Sequence, residues 1–205
     1  GAMTFHEIGV SVKQWQTVPA LWLGGLILVL AGIALKLGLA PFHMWIPDVY
    51  QGAPTPITTY IATVSKAAVM ALLLRLATEV GILELPPVVH LFSLLAVVSM
   101  VTGNVLALLQ QNVKRLLAYS SIAHFGYVLV ALLAGGPPAA EAVTFYVIVY
   151  CAMSLGAFGV VTVYSSGGGD KDRVEDYQGL FWTRPWLAGM LALSLLSLAG
   201  IPVTA

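Results

Sequence analysis

Apolar residues run in six long blocks along the chain, separated by short polar or proline-bearing linkers. The first block extends from Val18 to about Ala40, the second from Pro56 to about Ala77, and the third from Pro87 to Leu109. The fourth covers Val113 to Ala134, the fifth Ala139 to Tyr164, and the sixth begins at Pro185 and is still running at Ala205. A hydrocarbon core takes roughly 20 residues to cross and satisfies no irregular backbone, so each block reads as a membrane helix. Several carry proline at or near the first helical position (Pro19, Pro56, Pro87, Pro185), where its missing N–H is harmless. The expected fold class is therefore all-α, a polytopic transmembrane helix bundle of about six spans forming a single membrane domain. Within the 165–184 linker, Ser165-Ser166-Gly167-Gly168-Gly169 precedes mixed charges, and the stretch reads as a flexible extramembrane loop.

Composition sharpens this picture. Of 205 residues, 59% are hydrophobic and only 9% charged, too little polar surface for a soluble domain of this length. Nine Lys and Arg balance nine Asp and Glu, leaving no net field for nucleic acid. A single cysteine, Cys151, excludes an internal disulfide, a thiolate zinc cluster and a self-contained iron–sulfur centre; it reads as packing. Gly1 to Gln16 lacks the pattern of a signal peptide, and the abrupt stop in apolar sequence suggests a piece of a larger protein. Consecutive spans alternate sides, which groups Lys13 and Arg75 against Lys114, Arg115, Lys171, Arg173 and Arg184. Positive-inside bias puts the second group, and with it the 165–184 loop, in the cytoplasm.

Most charges stand at span ends, but Lys66 lies ten residues beyond Pro56. At 1.5 Å per residue that is roughly 15 Å into a core about 30 Å thick. A lysine at that depth costs about 3 kcal/mol or more against lipid, so it should face water or a partner. Thr59, Thr63 and Lys66 follow i, i+4, i+7 and share a face, while 67–74 carries no polar group. The polar stripe thus stops at the lysine, as half a channel would. Snorkelling or a static structural pair is the plainer reading of Lys66, and threonines often bond their own i−4 carbonyls. Lys36 reads either as a snorkelling helix-end lysine or as a functional one. Past it the apolar text continues too far for one straight crossing, and Pro41 must break or kink the helix beside His43. A broken helix near an intramembrane lysine recurs in ion transporters. In the fourth block, Ser120, His124 and Tyr127 again follow i, i+4, i+7 near mid-depth, and an imidazole titrates near neutral pH, as a relay requires. A lone histidine is more often a satisfied packing residue. Asp48 lies before Gly-Ala-Pro-Thr-Pro and reads as a capping or turn residue. No metal-ligand spacing and no phosphate-cradling loop occurs.

Longer stretches carry a resemblance. Residues 35–56, with Asp48-Val49-Tyr50-Gln51-Gly52, then Ser65-Lys66-Ala67 and Asn112-Val113-Lys114-Arg115-Leu116-Leu117-Ala118-Tyr119-Ser120-Ser121-Ile122-Ala123-His124, resemble the antiporter-like membrane subunits of respiratory complex I. Tyr177-Gln178-Gly179-Leu180-Phe181-Trp182 and Ser197-Leu198-Ala199-Gly200-Ile201-Pro202 extend the likeness over nearly the whole chain. The Asp48–Gly52 turn is most similar to the branch called subunit N; its siblings and the multisubunit cation/proton antiporters usually differ there.

The resemblance implies two inverted five-helix repeats, each with a broken helix. Residues 1–80 would end the first, and 87–205 would form most of the second. It also implies a proton relay of Lys36, Lys66 and His124; Ser120, Tyr127, Thr59, Thr63 and His43 are added from the helical faces and the break. The family's glutamate partner of the Lys36-type lysine and its last lysine fall outside these residues, so this polypeptide alone should not pump. Protons would load Lys66 from the cytoplasm and move laterally through water to His124, with Lys36 as the switch. NADH, FMN, iron–sulfur clusters and quinone are expected on partner subunits, none bound by this chain, in a bacterial inner membrane. The rival expectations are a cation/proton antiporter subunit without redox coupling and a purely structural membrane spacer.

Overall fold

A computed structural model of the chain describes residues 4–14, 20–166 and 171–201. Lys13's side chain, Pro19, the Gly167–Gly169 run and Pro202–Ala205 lie outside the described residues. Five helices are long and apolar enough to cross a membrane: Ala20–Leu37, Thr55–Val80, Pro86–Leu108, Val113–Leu133 and Gly136–Ser165. They match the first five apolar blocks to within a few residues. In chain order the α-helices are α1 (Phe5–Gln14), α2 (Ala20–Leu37), α3 (Trp45–Gly52), α4 (Thr55–Tyr60), α5 (Lys66–Arg75), α6 (Pro86–Leu108), α7 (Val113–Leu133), α8 (Gly136–Ser165), α9 (Leu180–Thr183) and α10 (Pro185–Leu198). Helices α4 and α5 belong to one span, joined by a π-helical turn at Ile61–Ser65 and prolonged by another at Leu76–Val80.

The expected break at Pro41 is present, and its chemistry is explicit. Gly38, at φ +75, donates from its N–H to the Ala34 carbonyl at 2.9 Å and the Leu35 carbonyl at 3.1 Å, and Leu39 N–H reaches Ala34 at 2.9 Å. This left-handed glycine closure ends α2. The Ala40–Pro41 peptide is cis. Backbone groups freed by the break need partners inside a membrane. Trp45 Nε1 donates to the Leu35 carbonyl at 2.9 Å, and Ala40 N–H donates to Ser99 Oγ of α6 at 2.9 Å, buried. A Cβ on Gly38 would fall 1.7 Å from Ile46 Cδ1, because α3 folds back against the break.

The sixth block, read as running on to Ala205, forms α10, which ends at Leu198 after 14 residues, short of a full crossing and just ahead of Pro202, where the resemblance placed the second break. Gly200, at φ +80, donates to the Ser197 carbonyl at 3.0 Å, and Ile201 N–H reaches Leu196 at 3.1 Å. That closure has the same form as the one at Gly38. An unexpected element is α1. Thr4 and Glu7 bond reciprocally (Glu7 N–H to Thr4 Oγ1 3.2 Å; Thr4 N–H to Glu7 Oε2 3.3 Å), a capping box that starts it. Helix α1 packs on the Leu76–Val80 turn so closely that a Cβ on Gly9 would lie 2.3 Å from the Glu79 carbonyl oxygen.

Residues 171–184 are not a free linker. Val113 N–H donates to the Asp172 carbonyl at 2.7 Å, Val174 N–H to Gln111 at 2.9 Å, and Tyr164 Oη to Asp176 at 2.9 Å. Lys114, buried, forms an ion pair with Asp172 at 3.1 Å, and Arg173 bridges Asn112. Lys114, Arg115, Lys171, Arg173 and Arg184 therefore gather at one end, while Arg75 stands over the Phe5 ring at 5.1 Å at the other. Burial and the neighbouring Asp172 and Asp176 carboxylates push the Tyr177 phenol upward. Removing one partner of a buried ion pair strands the other charge, at roughly 3–5 kcal/mol. Asp172→Ala alone should accordingly destabilise the protein more than Lys114→Met with Asp172→Ala together. Thermal unfolding of the detergent-solubilised protein reads this, and equal losses would show the pair to be inert.

Candidate functional site

The first residue after the Ile61–Ser65 π turn is Lys66, near the middle of the 26-residue span. Its side chain is 1% exposed, so it faces protein and not acyl chains. The ammonium donates to Ser121 Oγ of α7 and lies 4.9 Å from the Phe125 ring centroid and 5.9 Å from that of Tyr50. A Cβ on Gly38 would come within 3.9 Å of it, which puts the unwound backbone of the break alongside. Among the described residues no carboxylate pairs with it. A hydroxyl and two aromatic faces can attend either an ammonium or a neutral amine, since the hydroxyl both donates and accepts.

His124 lies one turn along α7 from Ser121, 7% exposed. Its Nδ1 is 2.7 Å from Tyr146 Oη on α8, a bond that either tautomer can make. The imidazole also meets Tyr150 at 5.4 Å between centroids and Tyr127 edge-on at 6.0 Å. The Tyr150 hydroxyl sits beside Ser121 and Ser154. That of Tyr50 lies near Ser121 yet completes no well-formed hydrogen bond. Lys66 and His124 thus share one buried seam of α5, α7 and α8.

The other expected residues are placed differently. Thr63 is buried and Thr59 half-buried, but their hydroxyls donate to the Thr59 and Thr55 carbonyls at 2.7 Å each. The π turn between Thr59 and Lys66 also slips the register on which the i, i+4, i+7 stripe was counted. The Lys66 amine bonds Ser121, while the adjacent Ser120, half-buried, lines a cavity of about 510 Å³ with His124, Tyr127, Tyr146 and Asn104. Tyr127 is 40% exposed and accepts from Asn104 Nδ2 at 2.8 Å. Lys36 is exposed in the last turn of α2 and makes no hydrogen bond or ion pair among the described residues. His43 is buried at the break, 6.5 Å from the Tyr119 ring, with Nδ1 unpartnered. Asp48 neither caps nor turns the chain: it lies in the first turn of α3 and pairs with Arg115 at 2.6 Å, fastening α3 to the start of α7.

Sequence reasoning missed Ser121, Tyr146, Tyr150 and Ser99. The i+4 spacing of the two tyrosines and the i+3 spacing of Ser121 and His124 were the available signals. Ser99 holds the break by accepting from Ala40, so Ser99→Ala strands a buried N–H at roughly 1–3 kcal/mol. Lowered thermal stability of the solubilised protein is the expected result; an unchanged melting temperature would show that another group takes the bond.

The whole chain, residues 1–205, matches a family model described as NADH:quinone oxidoreductase/Mrp antiporter, TM. It is 51% identical over 208 residues to NADH-quinone oxidoreductase subunit N of Methylococcus capsulatus, covering all of this chain and 42% of that protein. The subunit N of Ectopseudomonas mendocina is 50% identical over 212 residues, again with 100% and 42% covered. The chain thus spans about 42% of the length of the curated relatives it matches. Among solved structures, respiratory complex I from Thermus thermophilus with bound aureothin superposes with a TM-score of 0.77 at 40% identity, over 92% of this chain and 41% of that one. The Mrp complex from a Dietzia species has a TM-score of 0.78 at 22% identity, over 86% and 33%, a likeness of fold alone.

Proposed function

The chain belongs to the NADH:quinone oxidoreductase/Mrp antiporter membrane family, and on that premise we propose that it forms part of a proton-translocating subunit of a bacterial inner-membrane NADH:quinone oxidoreductase. The single observation that carries this is Lys66, sealed in mid-span with a hydroxyl and two rings for partners. Such a cation is costly in hydrocarbon, and it marks an ion path by default. Protons pass between Lys66 and His124, and Lys36 couples the path to a carboxylate on a neighbouring helix. Redox groups, NADH and quinone belong to partner subunits, and other membrane subunits flank this one. The matching glycine closures at Gly38 and Gly200 support two repeats, residues 1–80 and 87–205, each holding a broken helix.

The test is made on the complete complex carrying this sequence, in inverted membrane vesicles. Proton uptake should follow NADH oxidation by quinone and should not need a sodium gradient. Uptake driven by sodium and indifferent to NADH would replace the reading with that of a cation/proton antiporter subunit.

A further inference from the structure

We infer that the lateral step between Lys66 and His124 runs through protein hydroxyls at the seam of α7 and α8, with Ser121, Tyr150 and Tyr146 as its members; this rests on the proton-translocating reading above. Ser121 and His124 stand three residues apart on α7, and Tyr146 and Tyr150 four apart on α8, so each pair shares a helix face. Brought together, the two faces make two rungs. In the first, Lys66 donates to Ser121, whose neighbour is the Tyr150 hydroxyl. In the second, Tyr146 Oη is 2.7 Å from His124 Nδ1. Tyr150 spans them, its ring 5.4 Å from that of His124 and 5.3 Å from that of Phe125. Phe125, which faces both the Lys66 amine and the Tyr150 ring, and Val147, in the same buried cluster, are apolar, and the hydroxyls of Ser121, Tyr150 and Tyr146 carry polar atoms along this seam. The threonine stripe offers no such crossing, because its hydroxyls donate to their own helix.

The transfer balances without a net charge resting on any hydroxyl. Lys66 gives a proton to Ser121 Oγ, which releases its own to Tyr150 Oη. Tyr150 passes its hydroxyl proton to one water molecule lodged in the one-turn gap, and that water passes one to Tyr146. Tyr146 delivers its hydroxyl proton to neutral His124 at Nδ1. Lys66 ends as the amine and His124 as imidazolium, and each hydroxyl keeps one proton. Hydroxyl rotation resets the chain, since each oxygen both donates and accepts.

The test uses the complete subunit in the assembled complex, in inverted vesicles, with proton uptake read at equal amounts of assembled protein. Tyr146→Phe, Tyr150→Phe and Ser121→Ala keep ring or backbone shape and remove only the hydroxyl. Each should lower the uptake rate by about tenfold or more, while Ser121→Thr, which keeps a hydroxyl, should restore it. Fluorotyrosine at position 146 or 150 preserves shape and changes phenol acidity, and should alter the rate about two- to fivefold even where phenylalanine disturbs assembly. Lys66→Ala, run alongside, separates the two readings. If Lys66→Ala lowers uptake while the hydroxyl variants and fluorotyrosine proteins pump at the parental rate, water alone makes the crossing and this inference is overturned. If Lys66→Ala also pumps normally, the proton-translocating reading itself fails, and this inference with it.

Discussion

Lys66→Ala in the assembled complex should lower proton pumping and coupled quinone reduction together, by about tenfold or more, because a positioned proton donor and acceptor is worth at least that much. The reason is geometric. The amine is 1% exposed, and its neighbours are the Ser121 hydroxyl and the rings of Phe125 and Tyr50. Among the described residues no carboxylate forms an ion pair with it. Lys66→Arg sharpens the test, since a guanidinium keeps its proton at all working pH values. Arginine should therefore pump as poorly as alanine if the position must release a proton. A static ion in a structural spacer would tolerate arginine and fail only with alanine. Proton uptake per NADH oxidised, at normal levels of assembled complex, reads both variants; an unchanged stoichiometry in Lys66→Ala would refute the mechanism.

The largest stability effect is expected at Gly103, where α6 meets α7 backbone to backbone. A Cβ there would lie 2.6 Å from Ala123 N, 2.8 Å from the Tyr119 carbonyl oxygen and 2.9 Å from Ala123 Cβ. None of these can swing aside, because two are main-chain atoms of a buried helix. Membrane helices gain contact mainly by such close approach of small residues. Gly103→Val must push the helices apart, at about 3 kcal/mol or more. Because α7 carries Ser121 and His124, separation also misaligns the seam facing Lys66 and α8. We expect little assembled complex, and a lowered melting temperature in what is recovered. Gly159→Ala serves as the contrast: a Cβ there meets nothing within 4 Å, and the substitution should be nearly silent. Equal recovery of the two variants would show that the α6–α7 contact yields.

Much of this architecture was legible because a bilayer imposes length and apolarity directly on sequence. The five spans, the break at Pro41 and the depth of Lys66 all followed from counting residues. One local signal was present and went unread: Thr4-Phe5-His6-Glu7 is a capping box that begins α1. The end of α10 at Gly200, ahead of Pro202, falls about where the resemblance placed the second break. The 165–184 stretch looked like a flexible linker from Gly167-Gly168-Gly169 and the mixed charges after them, yet its described part, 171–184, is ordered. Its order comes from partners remote in sequence, Lys114, Val113 and Gln111, which no local pattern records.

The site divides along the same line. Sequence by itself determined that a lysine is buried in mid-span and a histidine stands near mid-depth, because charge in hydrocarbon is expensive wherever the chain goes. It could not determine which hydroxyl meets the amine. The choice of Ser121 over Ser120 depends on the rotation of α7 against α5, and the π turn before Lys66 shifts that register. Tyr146 and Tyr150 enter only because α8 packs on α7 with that face inward. Helical periodicity fixes which residues share a face, whereas the packing of helices distant in sequence fixes which faces meet, and only the tertiary structure holds that information.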